Sequence, residues 1–214
     1  MKLIKTHICG VVCAILISLS FTIIGGDINT IKVGATMPGA DVKMSSTSNE
    51  ILSLSDQHGE NGLLVVFSCN TCPFVVGGKD TEGWEGRYNG VFDLAKENKV
   101  NMVLLNSNAA RRDKGESLKE MKKRVAEQGL KATYLLDKGS VVADAFGART
   151  TPHVFLFNKE SKLVYKGAID DNVNNATEVK EQWIYNALKK LGKGEKIDPD
   201  QTRQKGCSIK RLVK

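Results

Sequence analysis

Apolar and polar positions alternate along the chain in a way that predicts a β-α-β-α order of elements. Two continuous apolar runs, Leu63–Phe67 and Val100–Leu105, have the length of strands that are buried on both faces of a sheet. Each run is followed by a segment of helical periodicity, the first closing near Asn98 and the second stopping at Gly129. These segments predict the centre of an α/β domain.

Shorter elements are predicted on either side of this centre. They are two strands within Val42–Leu54 joined by the polar SSTSN, a strand at Thr133–Leu136, a small helix at Val141–Phe146, two strands at His153–Phe157 and Leu163–Tyr165, and a helix with one apolar face from Val179 to Leu191. The polar turn NKESK between the last two strands predicts an antiparallel hairpin. The chain has no internal repeat or low-complexity linker, so we expect one domain over residues 33–192.

The amino terminus predicts export. Lys2 and Lys5 precede an apolar segment, Ile8–Ile24, which is the pattern of a secretory signal. Its length is also near the lower limit for a spanning helix, so residues 1–26 are interpreted as a signal peptide or an N-terminal membrane anchor. Either interpretation places the rest of the 214-residue chain outside the cytoplasm, in the periplasm or secreted.

The net charge of +7 is concentrated at the carboxyl terminus. Residues 189–214 contain nine Lys or Arg and three acidic residues, which leaves a nearly neutral body. We interpret residues 193–214 as a basic C-terminal extension. Because this extension has no aromatic residue to stack on a base, we expect no nucleic-acid partner, and contact with a membrane only through an uncleaved N-terminal anchor.

The stretch SCNTCPF carries the candidate chemistry, because it places Cys69 and Cys72 directly after a predicted buried strand. A helix amino terminus favours a thiolate, which predicts Cys69 as the nucleophile and Cys72 as the thiol that resolves a mixed disulfide. Two alternatives remain. The pair could belong to a zinc site completed by Cys207 with His58 or His153, or it could be a purely structural disulfide.

Four segments carry a resemblance to a known family: SCNTCPF, ARTTPHVFLFN, KLVYKGAIDD and GCSIKR. With them, the chain from about Val33 onward resembles the peroxiredoxin-like branch of the thioredoxin superfamily, in the alkyl hydroperoxide reductase, thiol-specific antioxidant and redoxin group. The resemblance implies a thioredoxin-like fold with a central mixed sheet flanked by helices, here with an N-terminal β-hairpin extension. It also implies a cis peptide at Thr151-Pro152, with the backbone of Thr151 binding a partner peptide, and makes Cys207 either a third redox thiol or a buried small side chain.

The chain also departs from this family. Peroxiredoxins carry a threonine three residues before their reactive cysteine and an arginine on a later strand, and here Cys69 and Pro152 fall at or near those places. The buried acid that thioredoxin uses to move protons has no equivalent in LLVVF, so no proton acceptor for Cys72 is evident. The glycines of VVGGKDTEGWEGRYNG predict a broken helix or a loop over the site, and its Trp84 and Tyr88 are interpreted as core residues or as an apolar lip.

These observations together predict an exported thiol–disulfide oxidoreductase. The resemblance and the cysteine spacing make Cys69 and Cys72 catalytic, Thr151 and Pro152 substrate-binding, and Cys207 a possible third redox thiol. No metal or other cofactor is expected. The expected partners are a protein that contains a disulfide or thiol, and a second protein that recycles the pair. The alternatives are a weak thiol peroxidase and a carrier that binds copper or zinc through its thiols.

Overall fold

A seven-stranded mixed sheet in the order β2-β1-β5-β4-β3-β7-β8 forms the centre of the protein. The structure is a computed structural model, and it describes residues 29–213. The predicted signal or anchor, residues 1–26, lies outside the described residues. Helices flank the sheet, and a separate two-stranded ribbon pairs β6 with β9.

The element bounds follow the predicted ones closely. The strands are β1 (Met44–Ser46), β2 (Ile51–Leu52), β3 (Gly62–Ser68), β4 (Val100–Asn106), β5 (Thr133–Leu136), β6 (Thr150–Thr151), β7 (His153–Asn158), β8 (Leu163–Gly167) and β9 (Cys207–Ser208). The helices are α1 (Pro73–Val76), α2 (Tyr88–Glu97), α3 (Leu118–Gln128), α4 (Val141–Phe146) and α5 (Trp183–Gly192). The last helix begins four residues later than its apolar stripe suggests, because Val179 ends a short 3-10 turn instead.

Strand β3 is the central strand on which the candidate site depends. It runs parallel to β4, with Val65 opposite Val103, and antiparallel to β7, with Val65 opposite Phe155. All seven of its residues are buried, as the continuous apolar run predicts for a strand covered on both faces. Cys69 follows directly where β3 ends.

The two faces of β3 serve two separate cores, because successive side chains of a strand point to opposite faces. Leu64 and Val66 belong to the core beneath α2 and α5, which also contains Cys69 and Cys72. On the other face Phe67 packs edge-to-face with Phe146 and Phe155. The predicted N-terminal hairpin is confirmed: β1 pairs with β2, and β1 also pairs with β5 at the sheet.

The helix after the cysteines is broken, as its glycines predict. Helix α1 has only four residues and ends at Gly77, whose φ of 87° is readily adopted only by glycine. The chain then loops before α2. Trp84 and Tyr88 are each 1% exposed, so both are core residues rather than a lip.

Asp170, from the segment KGAIDD, anchors this loop. Its carboxylate accepts a hydrogen bond from the Trp84 indole N–H at 2.8 Å and is paired with the Arg87 guanidinium at 2.7 Å. Asp170 is almost fully buried, so little water reaches its carboxylate. Its negative charge is stabilised instead by the positive charge of Arg87. The ion pair therefore fixes the polypeptide that leads from α1 into α2.

The basic C-terminal extension packs back on the domain. Thr202 is within 2.8 Å of the Tyr165 hydroxyl, Ile197 and Ile209 are buried, and β9 pairs with β6. Within residues 29–213, no helix is long and apolar enough to cross a membrane.

We predict that replacing Asp170 destabilises the protein strongly. Asp170→Ala removes the buried counter-charge of the nearly buried Arg87 and leaves it the exposed Glu82 at 3.3 Å. Breaking a buried ion pair in this way costs about 3–5 kcal/mol of unfolding free energy. Urea denaturation of the reduced protein measures this. The control is Asp171→Ala, which changes an exposed neighbour and should cost much less. Equal losses in the two variants would contradict the anchoring role of Asp170.

Candidate active site

Cys69 and Cys72 flank a tight turn between β3 and α1. Cys69 follows the last residue of β3, and Cys72 is the residue directly before α1, which starts at Pro73. The backbone N–H of Cys72 donates to the sulfur of Cys69 at 3.3 Å. The turn therefore brings the second cysteine back onto the first.

Thr151 contacts both cysteines from the loop that precedes β7. Its hydroxyl oxygen lies 3.1 Å from the Cys69 sulfur, and its carbonyl oxygen lies 3.2 Å from the Cys72 sulfur. The Thr151-Pro152 peptide bond is cis, which confirms the expectation drawn from the family resemblance. Cys69 is 1% exposed and Cys72 5% exposed, so the pair lies beneath the surface.

Cys207 joins the same site from the C-terminal extension. In the β6–β9 ribbon it lies opposite Thr151, whose carbonyl oxygen is 3.2 Å from the Cys72 sulfur, and it packs against the core cluster that contains Cys72. Gly206 makes this approach possible, because a Cβ at that position would lie 2.3 Å from the carbonyl oxygen of Thr151. The ribbon also means that the backbone of Thr151, predicted to bind a partner peptide, is already paired within the chain.

The three thiols differ in acidity. Burial raises the pKa of Cys69, and the hydrogen bond with Cys72 and the charge of Glu116 raise it further. The hydrogen bond from Cys69 lowers the pKa of Cys72 to about 5 against the effect of burial, and the thiol and N–H of Cys207 add to this lowering. Burial and the neighbouring Cys72 raise the pKa of Cys207 to about 11.

These pKa directions favour a thiolate on Cys72, whereas the sequence predicts Cys69 as the nucleophile. Helix α1 starts at Pro73, so Cys72 rather than Cys69 is the residue directly before its amino terminus. The neighbouring thiols stabilise the charge on Cys72 directly, whereas a four-residue helix contributes little dipole.

A buried carboxylate that the sequence analysis missed holds the turn between the cysteines. Glu116 is fully buried and accepts hydrogen bonds from the backbone N–H of Asn70 at 2.9 Å and the hydroxyl of Thr71 at 2.5 Å. The Asn106 side-chain amide donates to the same carboxylate at 2.6 Å. Because these donors satisfy its oxygens, Glu116 positions the turn rather than standing free as a proton acceptor.

Further polar groups hold Glu116 in place. Arg112 donates to the Asn106 side-chain oxygen at 2.6 Å and to the Glu116 carbonyl oxygen at 2.8 Å. Asn108 connects this network to the C-terminal extension, because its side-chain oxygen accepts from the backbone N–H of Lys210 at 2.8 Å. The one sequence signal for this network is the polar NSN at the end of an apolar strand. The contact of Glu116 with the cysteine turn comes from a loop and leaves no such pattern.

Other candidates lie outside the site. His153 is buried beside Phe155 and accepts from the Arg149 backbone N–H at 3.3 Å, and burial lowers its pKa to about 3. His58 forms hydrogen bonds with Gly59 and Ser161. Across residues 29–213, no cluster of three His, Cys, Asp or Glu side chains is arranged to hold a metal ion.

We predict that Glu116→Gln lowers the pKa of Cys69. The negative charge of Glu116 disfavours the Cys69 thiolate, so a neutral amide at this position moves the titration to lower pH. The measurement is a pH titration of the cysteine 13Cβ resonances in the reduced protein. Glu127→Gln, an exposed change on α3, is the matched control and should leave the midpoint unchanged. An unchanged Cys69 titration in Glu116→Gln would exclude the electrostatic coupling.

Comparisons with known proteins agree with this fold. An uncharacterized conserved protein from Geobacillus kaustophilus is 29% identical with a TM-score of 0.74, covering 87% of this chain and 95% of its own. A hypothetical protein from Sinorhizobium meliloti is 27% identical with a TM-score of 0.72, covering 87% of this chain and 98% of its own.

More distant structures share the fold alone. The peroxidoxin BcpB from Mycobacterium tuberculosis is 14% identical with a TM-score of 0.53, covering 77% of this chain and 97% of its own. The comparison with curated proteins gives no match. The family model described as Redoxin matches residues 32–181, which is more than half of the chain. The chain therefore belongs to the Redoxin family, as a peroxiredoxin-like member of the thioredoxin superfamily.

Proposed function

We propose that the protein is a thiol–disulfide oxidoreductase that exchanges a Cys69–Cys72 dithiol or disulfide with partner proteins. Membership of the Redoxin family supports a thiol redox function. The observation that carries the specific proposal is the geometry of the pair: the backbone N–H of Cys72 donates to the Cys69 sulfur at 3.3 Å, and Thr151 contacts both sulfurs.

The reduced pair transfers two electrons to a partner disulfide in two steps. The Cys72 thiolate attacks one sulfur of the partner, which forms a Cys72–partner disulfide and releases the partner's other sulfur as a thiolate. Cys69 then attacks the Cys72 sulfur, the mixed disulfide breaks, and the proton of Cys69 passes to the departing partner thiolate. The products are a reduced partner and a Cys69–Cys72 disulfide, and the reverse sequence oxidises a partner dithiol.

Partner binding is proposed to use Thr151 and Pro152. A partner strand that pairs with the backbone of Thr151 takes the place that β9 has in this structure. The chemistry needs no cofactor, because all the electrons come from sulfur. A second protein with a reactive dithiol or disulfide returns the pair to its starting state.

Dithiol exchange is favoured over peroxide reduction by the surroundings of the sulfurs. Within residues 29–213, the hydrogen bonds of Cys69 and Cys72 involve each other, Cys207 and Thr151, and none comes from an arginine. A peroxide therefore lacks the cationic donor that would stabilise its departing oxygen. Each of the two cysteines instead has a second thiol close by, which suits disulfide exchange.

We predict a reversible disulfide between Cys69 and Cys72. Both cysteines lie in one tryptic peptide, residues 44–79, so the disulfide is internal to that peptide. The full chain is equilibrated in thiol–disulfide buffers, alkylated and analysed by mass spectrometry, and the expected potential lies between roughly −270 and −120 mV. Cys72→Ser should abolish the internal disulfide. If the unaltered peptide stays fully reduced across this range, the oxidoreductase proposal fails.

We also propose that the protein is exported through residues 1–26. The support is the basic start followed by the apolar segment Ile8–Ile24. When the full chain is expressed in a Gram-negative host, we expect it in the periplasmic fraction with a shortened intact mass, or in the membrane fraction at full mass if the segment is an anchor. Ile15→Arg puts a charge into the apolar segment, so this variant should appear in neither the periplasmic nor the membrane fraction. Full-length protein in the cytosolic fraction of the unaltered chain would refute export.

A further inference from the structure

We propose that Cys207 is a third redox thiol that forms a disulfide with Cys72, and that the C-terminal segment 203–210 serves as an internal partner strand for the site. This inference rests on the proposed function, since it extends the same dithiol chemistry to one more sulfur. Its basis is the position of the segment: Cys207 is paired with the backbone of Thr151, whose carbonyl oxygen lies 3.2 Å from the Cys72 sulfur, and Cys207 packs against the core cluster that contains Cys72.

The segment is held at this position from both sides of Cys207. On one side Gly206 allows the close approach to the carbonyl oxygen of Thr151. On the other side the buried Ile209 donates its backbone N–H to the carbonyl oxygen of Arg149 at 3.0 Å, and Lys210 donates to Asn108 at 2.8 Å. The residues on both sides of Cys207 therefore fix its position against the site.

Exposure gives Cys207 a distinct place in the exchange. Cys69 and Cys72 are almost completely buried, whereas Cys207 is partly exposed. A reductant or partner in solution reaches Cys207 more readily than either member of the buried pair. A disulfide that moves from Cys69–Cys72 to Cys72–Cys207 thus moves toward the surface.

The step is an internal thiol–disulfide exchange without net oxidation. The Cys207 thiolate attacks the Cys72 sulfur of the Cys69–Cys72 disulfide. The Cys72–Cys207 bond forms, the Cys69–Cys72 bond breaks, and its electron pair leaves on the Cys69 sulfur, which takes up the proton that Cys207 gave up. One disulfide is present before and after the step, so no external oxidant or reductant is consumed.

The state of Cys72 controls when Cys207 becomes reactive. In the reduced site burial raises the pKa of Cys207 most, and the hydrogen-bonding interaction with Cys72 and the charge on Cys72 raise it further. Formation of the Cys69–Cys72 disulfide removes this charge, so the pKa of Cys207 falls and its thiolate becomes more abundant. Oxidation of the pair therefore activates the thiol that attacks it.

Tryptic peptides separate the two disulfides cleanly. Cys69 and Cys72 share peptide 44–79, whereas Cys207 lies alone in Gly206–Lys210. The full-length Cys69→Ser variant is treated with oxidised glutathione, free thiols are blocked with N-ethylmaleimide, and the digest is analysed by mass spectrometry. We expect the crosslink of 44–79 with 206–210 to be the main product and the free Cys207 thiol to be lost.

Matched variants make the result decisive. Cys72→Ser keeps Cys69 and Cys207 and should give little of the same crosslink, because Cys207 contacts Cys72. Cys69→Ala serves as a second variant if Cys69→Ser does not fold, and circular dichroism checks the fold of each. A Cys72–glutathione adduct with Cys207 free in Cys69→Ser, or an equal crosslink in Cys72→Ser, overturns the inference. A Cys207→Ser chain that still forms the Cys69–Cys72 disulfide shows that the proposed function stands independently.

Discussion

Thr151 is the residue on which the arrangement of the three cysteines depends. Its hydroxyl contacts Cys69, its carbonyl oxygen contacts Cys72, and its backbone pairs with Cys207. One residue thus gathers sulfurs from the end of a central strand, the start of a helix and the C-terminal extension. It is 1% exposed and adjoins β7, which is hydrogen-bonded to β3 along six residue pairs. The sheet therefore holds Thr151 in place, and Thr151 in turn positions the cysteines.

The charge on Cys72 is stabilised by short-range donors in a site that otherwise disfavours ionisation. Burial opposes a thiolate at all three cysteines, and the carboxylate of Glu116 opposes it at Cys69. The pKa of Cys72 is lowered despite its burial, because interactions with Cys69 and, to a smaller extent, with Cys207 stabilise its thiolate. Replacing Cys69 or Cys207 therefore raises the pKa of Cys72 and also removes a possible disulfide partner, so one substitution changes both properties.

The fold could be predicted almost completely from the sequence, and the site only in part. Apolar runs such as Leu63–Phe67 define buried strands whatever their partners, so β3 and its neighbours were predicted well. The cis peptide at Thr151-Pro152 was implied by the family resemblance alone, because most X–Pro bonds are trans. The pKa preference for Cys72 leaves no pattern in the sequence, because it depends on where a four-residue helix begins and on Cys207, which is 135 positions away from Cys72. Glu116 was missed for a similar reason: a loop carries it to Asn70, a contact that periodicity cannot reveal.

A site that is covered by its own chain selects among partners by competition. On the proposed function a partner strand must displace β9 from Thr151, and β9 is tethered at an effective concentration on the order of millimolar. A partner therefore gains access only if its own strand pairing and side-chain contacts exceed those of a segment anchored by Ile209 and Lys210. Small thiols and disulfides do not form a strand, so they meet the partly exposed Cys207 before the buried pair. The two kinds of partner therefore react differently with this segment: a protein partner displaces it, whereas a small molecule reacts with its Cys207 thiol.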